Sequence, residues 1–120
     1  MTLQSGQMPI AVDNWGILLC PICNFEYTHH SRIEIFDRGL IDDYVKEGLH
    51  VVVDECGKSD NDKVHGKKTV VVNDDVSDNP SGRRNGLRIN FWCENGEHHS
   101  QLVIAQQKGC THIYWEKLFE

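Results

Sequence analysis

The chain has 120 residues, with 12 Lys and Arg against 18 Asp and Glu, a formal net charge of −6 with histidine neutral. That length fits one domain, because two cores of half the size would each be marginal. At 39% hydrophobic and 25% charged, the composition excludes a disordered chain, and no apolar run approaches the roughly 20 residues of a membrane span.

Residues 1–9 carry no positive charge, so no secretory signal is expected and the thiols should meet a reducing cytoplasm. Five cysteines, an odd number, argue against a full disulfide framework: Cys20, Cys23, Cys56, Cys93 and Cys110. Cys20-Pro21-Ile22-Cys23 is the first motif met along the chain. Residues 31–37 (SRIEIFD) then alternate Ile33 and Ile35 against Arg32, Glu34 and Phe36, the period of two that predicts a strand.

The middle third holds most of the charge. Residues 1–40 sum to −2, residues 41–80 to −5 and residues 81–120 to +1. Residues 40–48 (LIDDYVKEG) are predicted to form a short helical turn ended by Gly48. Residues 50–54 (HVVVD) and 68–73 (KTVVVN) predict a Val-rich hairpin around a mobile acidic loop at 55–67. Residues 41–80 thus read as an acidic insertion within a single domain spanning 1–120.

Residues 74–86, containing Asn79-Pro80-Ser81-Gly82, predict a loop. Residues 87–92 (LRINFW) alternate Leu87, Ile89 and Phe91 against Arg88, Asn90 and Trp92, a second strand. Residues 101–106 and 111–117 flank Gln107-Lys108-Gly109 and predict a hairpin. The fold class expected is mainly β: an antiparallel sheet of three to four strands, an inserted hairpin and a helical turn.

The CxxC pair admits three readings: half of a zinc site, a redox dithiol, or two structural cysteines. A redox dithiol gains its low thiol pKa from a helix that opens at the motif. Residues 24–30 have no helical period and run into a strand, which weakens that reading. For zinc, a tight CxxC turn delivers two thiolates and a second pair must come from elsewhere. Cys93 ends the strand at 87–92 and is followed, across Glu94-Asn95-Gly96-Glu97, by His98 and His99. We therefore assign a structural Cys3His site to Cys20, Cys23, Cys93 and His98, with His99, His30 and His29 as substitutes for the fourth ligand. Adjacent histidines on a strand point to opposite faces, so at most one of His29 and His30 can reach one ion. Cys110 opens the returning strand at the far end of its hairpin and is expected to be a small, partly buried core residue; Cys56 is an ordinary free thiol.

A strand after CPIC, and a second strand ending in Cys93 with a knuckle and a hairpin, resemble the zinc-ribbon class. Residues 79–94 (NPSGRRNGLRINFWCE) and 102–116 (LVIAQQKGCTHIYWE) are similar to small uncharacterised zinc-ribbon-like proteins of bacteria and their phages. The resemblance covers about residues 17–37 and 79–117. It implies a sheet held by one structural zinc, no family-wide enzymatic activity, and the cytoplasm of a bacterium or phage-infected cell. The departure is Gly96, which stands where a ribbon has its fourth cysteine.

Other residues open further readings. Arg83 and Arg84, with Arg88 nearby, suit phosphate or carboxylate, or pair internally with the acidic third. Phe91 and Trp115 are assigned to the core, and Trp92 and Tyr114 to exposed positions that could anchor a partner. Asp60-Asn61-Asp62 lacks the Gly and Glu of a calcium loop, which excludes that ion. The leading function is a non-enzymatic zinc-binding module acting through a macromolecular partner, a protein rather than nucleic acid given the −6 charge, such as an accessory or inhibitor protein. The alternatives are a nucleic-acid-binding ribbon using Arg83, Arg84, Arg88 and exposed aromatics, and a metal-dependent hydrolase. No membrane partner is expected.

Overall fold

The computed structural model describes residues 3, 6–37, 48–56, 67–82, 84–96 and 98–118. They form one antiparallel sheet of seven strands: β1 (Gln7–Met8), β2 (Thr28–Asp37), β3 (Leu49–Cys56), β4 (Lys67–Asn73), β5 (Gly86–Cys93), β6 (His99–Gln107) and β7 (Cys110–Lys117). The order across the sheet is β1-β7-β6-β5-β2-β3-β4. Two three-stranded meanders, β2-β3-β4 and β5-β6-β7, are therefore joined by pairing of β2 with β5. The expected strands are present, but the Val-rich hairpin extends the same sheet from β2, and β1 adds a short seventh strand. A count of three or four strands plus a hairpin is too low, because the pairing of β2 with β3 is a tertiary contact that periodicity does not encode. The expected helical turn at 40–48 falls largely on residues outside those described, as does the centre of the acidic loop. Among the described residues no helix is long and apolar enough to cross a membrane.

Register shows which side chains share a face. Ile35 pairs with Val51 and Leu87, Val51 with Val72, Leu87 with Ile104, and Ile104 with Ile113. This aliphatic row crosses six strands on one face. One residue along, Phe36 pairs with His50 and Gly86, and Gly86 with Ala105, on the other face. Alternation is thus as the sequence predicts, yet Phe36 and Glu34 are buried while Ile35 is partly exposed. Both faces carry core: Phe36, Val52, Val103 and Ala105 on one, Leu102 and Trp115 on the other. Trp115 is fully buried and meets Phe91 edge-to-face at 5.3 Å between ring centroids. Phe91, expected in the core, is only half-buried.

The first meander is tied across its strands by a polar row. Glu34 on β2 receives His50 Nε2 at 2.9 Å, and His50 Nδ1 lies 3.1 Å from Asn73 Oδ1 on β4. Asn73 Oδ1 also accepts the Asp75 N–H at 2.8 Å, so it is the acceptor and His50 Nδ1 the donor. Phe36 stacks on the His50 ring at 4.5 Å. Valines alone leave the register of this hairpin free to slip; a polar row, buried at Glu34 and His50, fixes it.

The loop before β5 is held by its own amides. Asn79 Oδ1 accepts the Ser81 N–H, its Nδ2 donates to the Arg84 carbonyl, and buried Ser81 donates to the Gln106 carbonyl at 2.6 Å. Gly86 is required here, since a Cβ would stand 2.5 Å from Asn79 Oδ1 and 2.7 Å from Pro80 Cγ. The loop that the sequence predicts from Asn-Pro-Ser-Gly is thereby docked against the end of β6.

Candidate metal centre

Two turns meet at one end of the central strands. In the first, the Cys20 N–H donates to the Phe25 carbonyl and the Asn24 N–H to the Cys20 carbonyl, with Asn24 at a positive φ of 63°. Ile22 N–H points at Cys20 Sγ, 3.4 Å away. In the second, the Cys93 N–H donates to the His98 carbonyl and Asn95 N–H points at Cys93 Sγ, again at 3.4 Å. Each turn thus aims a backbone amide at a sulfur from two residues further on, an arrangement that favours thiolate. The Glu94 N–H donates to the Tyr27 carbonyl and binds the two turns together.

Cys20, Cys23, Cys93 and His98 converge here, with their ligand atoms all within 4.8 Å of one another. Cys23 Sγ lies 3.6 Å from Cys93 Sγ, and Cys20 Sγ lies 3.8 Å from His98 Nδ1. Sulfurs about 2.3 Å from a tetrahedral ion stand about 3.8 Å apart, and a sulfur and an imidazole nitrogen about 3.6 Å apart. Those two pairs stand at the spacing of a coordination shell, and the four donors could hold one metal ion. Cys20 and Cys93 are buried, while Cys23 and His98 are half-buried.

Gly96, at a positive φ of 157°, lies against the His98 ring. A Cβ built at position 96 would lie 3.5 Å from Cε1 and Nε2 of His98. The ring folds back over the glycine and delivers its nitrogen from two residues downstream.

The thiols are electrostatically unequal. Burial opposes ionisation of Cys23, but hydrogen bonds from the Asn95 side chain, the Phe25 backbone and the neighbouring cysteines outweigh it and bring the thiol down to about 7. Burial pushes Cys93 up to about 11, reinforced by the adjacent cysteines against the Asn95 amide. In the metal-free protein Cys23 is the first of the pair to ionise, and Cys93 stays protonated unless a cation compensates the charge.

The substitute ligands stand outside the cluster. His29 pairs with Glu94 and stacks on Trp92 at 4.3 Å; His30, on the other face, approaches Phe91 edge-on at 6.1 Å. His99 pairs in register with Trp92 in the first position of β6. Cys110 lies at the opposite end of the nine-residue β6, about 30 Å away at strand rise, as expected. It is exposed, not partly buried, because it faces Gln107 beside a two-residue turn at the tip of the hairpin. Cys56 is the last residue of β3.

Among the described residues, Arg88, Trp92 and Tyr114 share one face of the sheet by register. Arg88 is committed to the Asp78 carbonyl, Gln101 and Glu116, the last at 2.8 Å. Half-buried Arg84 has its backbone bound to Ser81 and Asn79. Arg83 lies outside the described residues. Trp92 is exposed, and Tyr114 is half-buried with its hydroxyl pKa raised by burial and by Glu116. Their register rows are four residues apart, about 13 Å along the strands.

A different aromatic was missed. Trp15 is 87% exposed at the tip of a tight turn in which Asp13 Oδ1 accepts the Trp15 and Ile17 N–H groups at 2.8 and 3.0 Å. Gly16 supplies the positive φ and the Val12–Leu18 bridge closes the turn. Asp-Asn-Trp-Gly is a legible turn signal between apolar residues. Periodicity overlooks it because the segment is too short to alternate. No family model matches this chain, and no curated protein or solved structure is significantly similar to it.

Proposed function

We propose that the chain is a non-enzymatic zinc-binding module of the zinc-ribbon type, acting through a protein partner. The observation that carries the metal reading is the preformed Cys3His shell, with ligand atoms within 4.8 Å of one another. Three thiolates and an imidazole suit zinc, and four protein donors close the position that hydrolysis would need. That closure counts against the hydrolase reading. Kinship with small zinc-ribbon-like proteins of bacteria and phages, and a cytoplasmic setting, belong to the same proposal, supported by the two matching cysteine turns. The test is metal analysis of protein purified without added zinc. One zinc per chain is expected, lost in Cys93→Ser, and cobalt(II) should give the visible bands of a tetrahedral thiolate site. A metal-free protein that neither takes up cobalt nor changes its melting with chelator overturns the reading.

For the partner, Trp15 is the anchor. A tryptophan held out on a pinned turn loses little conformational freedom on binding and brings large apolar area, the usual character of an interface hot spot. Nucleic acid is the weaker choice, since Arg88 is internally paired and the chain carries −6. Affinity purification from the native host should recover a protein that Trp15→Ala loses. A partner retained by Trp15→Ala, or oligonucleotide binding weakened by Arg84→Ala, would overturn this part.

A further inference from the structure

The two arginines around the start of β5 end differently. The Arg88 guanidinium meets the Asp78 carbonyl, Gln101 and Glu116. Arg84 Nη1 is buried and has no acceptor. Arg32 Nε is a buried orphan too, but Asp54 Oδ2 stands 3.8 Å from it. A charged N–H left without a partner is costlier to bury than a neutral one, and an anion relieves that cost. Arg84 lines a recess of about 240 Å³ between the loop before β5 and the β6–β7 turn, together with Ser81, Gly82, Gln107 and Lys108. Among the described residues its walls carry two cations, Arg84 and Lys108, and no carboxylate. This local excess of positive charge stands on a chain of net −6.

The recess is held in shape from beneath. The hydroxyl of buried Ser81 donates to the Gln106 carbonyl at 2.6 Å and accepts the Arg84 N–H at 2.9 Å, while Asn79 Nδ2 donates to the Arg84 carbonyl at 2.8 Å. The backbone from which the guanidinium springs is thus fixed on both sides. Lys108 and Gly109, at φ of 50° and 82°, form the tight turn that sets where the lysine stem begins. Nothing lies within 4 Å of the place a Cβ would take on Gly82, so that wall is open.

We propose that this recess is an anion site for a dianionic phosphoryl group, that of inorganic phosphate or of a small phosphomonoester, with Arg84 and Lys108 as its two cations. A guanidinium with an unused N–H and an ammonium point charge together match two negative charges on one group, where a carboxylate brings only one. The recess is smaller than the roughly 300–1,000 Å³ of pockets that enclose a drug-sized ligand, so it takes the anionic head and leaves the rest of such a molecule outside. Two cations are too few for a nucleic-acid strand, whose binding comes from neutralising many successive phosphates.

Nitrogen-15 NMR of the full chain tests this, with inorganic phosphate, glycerol 3-phosphate and acetate titrated in turn at constant ionic strength and mildly alkaline pH, where phosphate is the dianion. Saturable shifts are expected at the amides of Ser81, Gly82, Arg84 and Lys108. Either phosphoryl ligand should bind at least about tenfold more tightly than acetate, and the tighter of the two identifies the source. Arg84→Gln should weaken binding by at least about tenfold and Lys108→Gln by about threefold, while Lys117→Gln, at the other end of β7, should leave it within about twofold. Circular dichroism checks that each variant folds; should Arg84→Gln fail, Lys108→Gln against Lys117→Gln carries the test. Shifts that do not saturate, acetate binding as tightly as phosphate, displacement of phosphate by an oligonucleotide without a terminal phosphate, or unchanged affinity in Lys108→Gln overturns the proposal. Zinc content is independent of every outcome.

Discussion

The two ends of this sheet solve the same problem by different means. A seven-stranded sheet without a covering helix among its described residues leaves much of both faces wet. At the cysteine end, segments 70 residues apart in sequence are brought within 3.6 Å, Cys23 to Cys93, beside buried Cys20. At the valine end, β3 and β4 depend on the backbone ladder and the Glu34–His50–Asn73 row, and the valines of β4 stay exposed. The contrast teaches that an apolar sequence does not make an interior. Two interlocked cysteine turns and one polar row mark this sheet's fixed points more clearly than three consecutive exposed valines do.

The largest expected effect breaks the cysteine end. Cys20→Ser, or removal of metal by a chelator, should abolish the cooperative melt, because zinc binding in a small sheet is folding free energy on the order of 10 kcal/mol. Cys110→Ser at the exposed hairpin tip should change stability by less than about 0.5 kcal/mol. Thermal melts followed by circular dichroism measure both. Equal losses from the two substitutions would remove the distinction drawn here.

Packing comes next. Trp115→Ala and Phe36→Ala delete fully buried rings and should each cost about 3–5 kcal/mol in denaturant unfolding, whereas Val70→Ala, at the exposed edge, should cost about 0.5 kcal/mol or less. The valine end has its own critical residue. His50→Ala should destabilise by about 2–3 kcal/mol, since Glu34 is left buried without its imidazole partner. Hydrogen exchange should then rise in β3 and β4 while the amides of the two cysteine turns keep their protection. Uniform loss of protection would show that the two ends unfold as one unit.

The smallest effect is one of reactivity. With the Cys23 thiol lowered to about 7 and Cys93 raised to about 11, the metal-free protein at pH 8 carries thiolate at Cys23 and neutral thiol at Cys93. Alkylation should mark Cys23 first, with its rate rising through pH 7, and Cys93 slowly until strongly basic pH. Because the metal binds thiolates, acidification should release it with uptake of protons, at a pH below the metal-free value of the Cys23 thiol. Mass spectrometry of alkylated peptides, with and without zinc, reads both effects. Exposed Cys110 should react in either state.

Much of this was legible before the fold. CxxC at Cys20 and Cys23, the thiolate at Cys93 and the imidazole at His98 stand at spacings dictated by tight turns, and the structure gathers those four. The strands at 31–37, 87–92, 101–106 and 111–117 announce themselves by a period of two, extended by one to three residues at their ends. The same signal was silent on which face is buried. Phe36 and Ile35 are equally apolar neighbours, and only the placement of β3 and β5 on either side of β2 puts Phe36 under the His50 ring. Trp15 and Cys110 were misjudged or passed over for a related reason: exposure at a turn depends on what packs above it.

Sequence by itself determined the local chemistry: the turns that aim sulfur and imidazole at one point, the strand periods, the Gly86 and Gly96 positions, and the concentration of acid in residues 41–80. Tertiary structure decided what those pieces became. Pairing of β2 with both β3 and β5 made β3 and β4 of the acidic insertion a continuation of the sheet, spent Arg88 on Glu116, and left Val70–Val72 exposed on the last of the described strands. The physical reason is range. Turn and strand preferences act over a few residues, whereas burial, pairing and the choice of edge are set by segments distant in sequence that meet only once the sheet has formed.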